Sequence, residues 1–166
     1  EKTTGHAIIQ INEEGQNNII IVGGANEEVS KEYIEQVLSA FQEGDILLLQ
    51  NEVSNVDFAI QMGKKRGMKI VFNPSPLDNK VSKYPLQDVD FFILNEIEAV
   101  EIIELSTKEE GKRREYTLGE IEQSLKNQFS GASFVLTLGE KGSMYFDGKC
   151  RISQKAFKTK VVDTTG

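Results

Sequence analysis

The chain has 166 residues, 39% of them hydrophobic and 27% charged, a balance that suits one globular unit with a real core. Its formal net charge of −7 opposes any general affinity for nucleic acid or anionic membranes. One cysteine, Cys150, and one histidine, His6, exclude an internal disulfide and a tetrahedral zinc site built from Cys and His; with no apolar run of membrane-spanning length, a cytoplasmic setting is expected.

Two alternating, β-branched runs at 7–12 and 18–22 flank the polar stretch Glu13-Glu14-Gly15-Gln16-Asn17, which predicts a hairpin. From Glu27 the period changes: Ile34, Val37, Leu38 and Phe41 are spaced as on one face of an amphipathic helix, and Gly44 follows as its stop. The apolar run 45–50, a helix over 54–66 and a second run at 69–72 form a βαβ pattern. The pattern continues with a strand at 90–94, a helix at 96–105, a helix at 117–129 opened by a capping box of Thr117 and Glu120, and a strand at 133–138. Residues 108–115 read as a solvated charged loop. Beyond 138 the helices cease, and the runs 143–146 and 156–162, separated by Asp147-Gly148-Lys149, read as antiparallel strands at a sheet edge. The chain starts without Met and closes on Asp163-Thr164-Thr165-Gly166 directly after a strand-like run, so a fragment is expected.

Ligands of open parallel α/β sheets collect at the carboxyl ends of strands, which directs attention to the strand exits. The first carries Glu52, which suits hydrogen bonds from sugar hydroxyls or, alternatively, a helix-start carboxylate beside Ser54. The second is the turn Asn73-Pro74-Ser75-Pro76. The third pairs Asn95 with Glu98 on one helical face, fit for a metal-hydrated phosphate or for an N-cap with a first-turn acid. The fourth, Thr137-Leu138-Gly139-Glu140-Lys141-Gly142, sets two glycines where backbone can approach a nucleotide or simply turn a hairpin, and it matches neither a Walker loop nor a dinucleotide fingerprint.

The order of these features, from Gly23-Gly24-Ala25-Asn26 through Glu52, 73–76, Asn95 with Glu98, 137–142 and 163–166, resembles the ribokinase-like, or PfkB, family of carbohydrate kinases over essentially the whole chain. That resemblance implies an α/β fold with a mainly parallel sheet flanked by helices, in which 1–26 form part of a projecting lid hairpin and 27–166 part of the kinase core. It implies ATP-dependent phosphorylation of D-ribose to ribose 5-phosphate, with ATP as co-substrate, Mg²⁺, K⁺ as activator and a homodimer formed through the lid. Glu52 would bind the sugar. Asn95 and the turn of Thr137, Leu138, Gly139, Glu140, Lys141 and Gly142 would contact ATP, and Glu98 would organise Mg²⁺ through water. Asp163 and Thr165 would hold the monovalent cation and Gly166 would open the anion hole, while the catalytic Asp is expected just after Gly166. A fragment lacking that base is expected to be inactive alone. The alternatives are another kinase of the same family, such as a fructokinase, and a noncatalytic α/β ligand-binding module.

Overall fold

The computed structural model describes residues 2–12, 17–107 and 115–158. Strands β1 (His6–Ile11) and β2 (Asn17–Val22) pair antiparallel, Ile9 opposite Ile19, as a two-stranded sheet of their own, separate from the main one. The main sheet has six strands in chain order: β3 (Ile46–Gln50), β4 (Lys69–Asn73), β5 (Phe91–Asn95), β6 (Ser133–Thr137), β7 (Ser143–Phe146) and β8 (Arg151–Gln154). The first four are mutually parallel and the last two run antiparallel.

Four α-helices are described: α1 (Lys31–Leu38), α2 (Val56–Lys65), α3 (Glu96–Thr107) and α4 (Leu118–Gln128). Because β3 to β6 advance in one direction across the sheet, right-handed crossovers place the connecting helices on the same face. The burial agrees. Ile70, Phe72, Phe92, Leu94, Phe134 and Leu136 alternate along their strands toward that face and are fully buried. Four phenylalanines, Phe72, Phe92, Phe134 and Phe146, stand opposite one another across β4 to β7, with Phe92 stacked on Phe134 at 5.5 Å and Phe134 on Phe146 at 4.9 Å. At Gly63 of α2 a Cβ would come within 2.7 Å of Ile70 and Leu47, so a glycine there lets the helix lie close on β3 and β4.

The hairpin, the βαβ order and the Thr117–Glu120 capping box follow the sequence reading. Two local expectations need correction. The first helix begins at Lys31, where Ser30 caps Tyr33 N–H, because Gly24–Glu28 forms a 3₁₀ turn; Val37 is exposed and Phe41, also exposed, lies beyond the helix end. The β7 partner is Arg151–Gln154, not 156–162: Asp147 Oδ1 accepts from the N–H groups of Lys149 and Cys150 at 2.8 Å each, closing the turn at once and starting the return strand at Arg151. In β3, Ile46 and Leu48 point to the face opposite the helices and are 67% and 65% exposed. Of the charged segment 108–115, residues 108–114 lie outside the described residues, as do residues 159–162 of the last predicted run.

Candidate active site

The registers of the parallel strands fix which exits are neighbours. Gln50 pairs with Asn73 and Asn95 with Thr137, so the stretches that follow β3, β4, β5 and β6 leave the sheet along one edge. With strands about 4.8 Å apart, the β3 and β6 exits are separated by about 14 Å, room for two ligands end to end.

At the β3 end lies a cavity of about 770 Å³, walled by the hairpin base (Ile21, Gly23), the β3 exit with Glu52, and the segment after β4 with Asp78, Lys80 and Tyr84. Glu52 is exposed to this cavity, and α2 starts four residues later with Asn55 at its cap. The helix-start reading of Glu52 is therefore not the one this backbone adopts. Ser54 and Asn55 turn the other way: Ser54 Oγ donates to Val29 O at 2.9 Å, Asn55 Nδ2 donates to the same oxygen at 2.7 Å, and Ser54 N–H donates to Asn26 O at 3.0 Å. Asn55 is the one non-glycine with positive φ among the described residues, 59°, a conformation that Asn tolerates better than most side chains.

The upstream side of Glu52 is equally tied. Asn51 N–H donates to Ser75 O at 3.1 Å, Asn51 Nδ2 donates to Pro76 O at 2.6 Å, and Tyr84 Oη donates to Asn51 Oδ1 at 2.7 Å. The Tyr84 ring sits 6.2 Å from the ring of buried Phe72. Burial pushes the Tyr84 hydroxyl above its ordinary pKa, with the Asp78 and Asp57 carboxylates adding to the effect, so it stays a donor at neutral pH. None of these ties was legible in the sequence; the stretch after Pro76 carried no periodicity and folds as two 3₁₀ turns, Val81–Lys83 and Leu86–Asp88.

At the β5 end, Asn95 and Glu98 form a reciprocal cap of α3: Asn95 N–H donates to Glu98 Oε2 at 2.9 Å and Glu98 N–H donates to Asn95 Oδ1 at 2.8 Å. The capping alternative is thus realised. It leaves Asn95 Nδ2 and Glu98 Oε1 outside the pair. At the β6 end, Thr137 leads into a 3₁₀ turn at Gly139–Lys141 closed by Leu138 N–H donating to Gly142 O at 2.8 Å. Gly139 has φ +55° with open space where a Cβ would stand, whereas a Cβ at Gly142, φ +100°, would collide with the Gln154 carbonyl. The turn is a hairpin connection whose Gly139 stays open to a ligand. Neither Asn95 nor Glu98 nor the 137–142 turn lines the Glu52 cavity; they share its sheet edge instead. Asp163, Thr165 and Gly166 lie outside the described residues, and among those described no cluster of His, Cys, Asp and Glu is arranged to hold a metal. No described helix is long and apolar enough to cross a membrane.

A mainly parallel sheet with polar residues gathered along one carboxyl edge is an open α/β fold, in which that edge is where ligands ordinarily bind. The profile of the pfkB family of carbohydrate kinases matches residues 1–166, so the chain belongs to that family. It is 32% identical to the ribokinase of Lactococcus lactis over 167 residues, 99% of this chain and 50% of that protein. It is 28% identical to the deoxyribokinase of Salmonella typhi over 166 residues, 99% of this chain and 52% of that protein. Among solved structures, the Thermotoga maritima ribokinase superposes with a TM-score of 0.76 at 30% identity, covering 99% of this chain and 52% of that one. The Arabidopsis thaliana ribokinase complexed with ribose and ATP superposes at 0.70 with 28% identity, covering 99% and 53%. The chain spans about half the length of the curated relatives it matches.

Proposed function

We propose that the protein containing this chain is an ATP-dependent sugar kinase that phosphorylates ribose, with the sugar at the β3 and β4 end of the sheet edge and the nucleotide at the β5 and β6 end. The observation that carries this reading is the position of Glu52: a carboxylate facing a polar cavity, with no hydrogen bond or ion pair to any described residue, on the same edge as the open turn at Gly139. An ionised carboxylate accepts only, so it suits paired sugar hydroxyls, which donate. Likeness to ribokinases, including one complexed with ribose and ATP, supports the choice of sugar and of ATP.

In this reading a sugar hydroxyl oxygen forms a bond to the γ-phosphorus while the bond from that phosphorus to the β,γ-bridging oxygen breaks, and ADP leaves. Glu52 holds the sugar by its remaining hydroxyls. Asn95 Nδ2 and the backbone of the 137–142 turn, chiefly Thr137, Gly139 and Gly142, orient the nucleotide. Mg²⁺, when bound, neutralises charge on the transferring phosphates, and Glu98 Oε1 is the oxygen free to hold one of its waters. Asp163 and Thr165 are proposed for K⁺ and Gly166 for the anion hole; the hydroxyl proton goes to a base that the resemblance puts after Gly166. The hairpin β1–β2, whose Ile21 and Gly23 wall the cavity, serves as part of the lid over the sugar.

The test is a coupled ADP-release assay on the product of the complete gene, with ATP, Mg²⁺ and K⁺ and with ribose, 2-deoxyribose and fructose offered in turn. Ribose is expected to give the highest kcat/KM. A higher value for 2-deoxyribose would move the assignment toward the deoxyribokinase relative, and ADP release that no sugar stimulates would overturn the reading.

A further inference from the structure

We infer that Tyr84 and Asn51 are positioning residues of the sugar site, forming a clasp that holds Glu52 in place and so sets sugar affinity rather than the phosphoryl-transfer step. The inference rests on the sugar-kinase reading of Glu52, but the clasp is a feature of the chain itself.

Glu52 and Val53 form a short bridge across the cavity wall, fixed at both ends. Downstream, Ser54 and Asn55 are hydrogen-bonded to Asn26 and Val29 next to the hairpin base. Upstream, Asn51 is held by three hydrogen bonds, two to the Ser75–Pro76 turn and one from Tyr84. The two ends differ in what anchors them. Downstream, Asn26 lies in a 3₁₀ turn with no buried residue, beside an exposed hairpin, and Val29 is only partly buried against the core. The upstream anchor reaches the core: Tyr84 leans on Phe72, a fully buried residue of β4, and presents only its hydroxyl to Asn51. Tyr84 thus transmits the fixed position of the sheet to the one peptide that precedes Glu52. Neither amide atom of Asn51 is spare in this role, since Oδ1 accepts from Tyr84 while Nδ2 donates to Pro76 O. A leucine of similar size would fill the space without holding either partner.

Removing one hydroxyl isolates the effect. In Tyr84→Phe the ring keeps its packing on Phe72, Asn51 Oδ1 loses its donor, and the 51–53 backbone gains freedom that a bound sugar must then remove. The expected result in the full-length enzyme is a rise of about 5- to 30-fold in KM for the sugar, which is about 1 to 2 kcal/mol, with kcat within about twofold and KM for ATP unchanged. Asn51→Leu should raise the sugar KM at least as far, and the double variant should fall short of the product of the two single effects, because both break the same hydrogen bond. An unchanged sugar KM, or a fall in kcat at constant KM, would overturn the positioning role. Amide hydrogen exchange reads the clasp without any turnover: faster exchange in Tyr84→Phe over 51–53, with 96–98 unchanged, is expected, and identical exchange in both segments would overturn the clasp. A wild-type enzyme with no sugar-stimulated turnover would sink the kinase reading and the affinity role together, while the exchange experiment would still decide whether Tyr84 holds the loop.

Discussion

Glu98 carries two duties that a single substitution can separate. Its Oε2 accepts Asn95 N–H at 2.9 Å and closes the start of α3, while its charge is the part proposed to hold Mg²⁺ through water. Glutamine serves the N3 position of such a box as well as glutamate does, so Glu98→Gln keeps the cap and removes the charge. Turnover of the full-length enzyme is expected to fall on the order of 10- to 100-fold, with a shifted Mg²⁺ dependence and a melting temperature close to wild type. Glu52→Ala should act in the opposite sense, weakening sugar binding by about 10- to 100-fold with a smaller effect on kcat, because a charged acceptor of sugar hydroxyls contributes to ground state and transition state alike. Steady-state kinetics with sugar and Mg²⁺ varied in turn distinguish the two; normal turnover and an unchanged Mg²⁺ profile in Glu98→Gln would leave that residue a helix cap only.

Between elements, the row Phe72, Phe92, Phe134 and Phe146 joins the parallel part of the sheet to its antiparallel edge through consecutive cross-strand pairs. Phe134 is central, fully buried and stacked on both Phe92 and Phe146, so Phe134→Ala should cost about 3 to 5 kcal/mol in a urea melt, more than any exposed hairpin isoleucine. This row shows why so much of the fold was legible: each phenylalanine sits in a short, continuous apolar run bounded by polar or turn residues, the local pattern of a strand in a covered sheet. What the sequence concealed was settled by contacts distant along the chain or by turn geometry. The residues 24–28 leave the helical pattern because Ala25 N–H is held by Thr3 O and Asn26 O by Ser54 N–H. The strand Arg151–Gln154 has little β-propensity and is recruited by the Asp147 turn in preference to the more β-branched 156–162. At the site, Glu52, Asn95, Glu98 and the glycine turn could be picked out because each leaves a strand. Asn51 and Tyr84 could not, being joined across 33 positions with no pattern in common.

Across the whole molecule, the described helices cover one side of a sheet whose parallel strands are apolar on both. On the uncovered side stand Ile46, Leu48, Val71, Phe91, Ile93, Val135 and Ile152, with Leu48 65% and Ile152 60% exposed. Parallel sheets are ordinarily buried on both faces, and a contiguous apolar surface of this kind favours association. The hairpin adds a second such surface on one of its faces through Ile8, Ile20 and Val22, the route to dimers that the lid resemblance implies. The 166-residue chain studied alone is therefore expected to run above its 18.6 kDa monomer mass in light scattering and to bind a hydrophobic dye. Threonine favours strands and removes apolar surface, so paired substitutions can tell the surfaces apart without breaking strands. Leu48→Thr with Ile152→Thr is expected to return the mass toward the monomer and to quench most of the dye signal, because the sheet face spans six strands and the hairpin two. Were Ile8→Thr with Ile20→Thr to do this instead, the hairpin would be the associating surface; a chain that is monomeric and dye-silent without any substitution would show that the open face does not drive association.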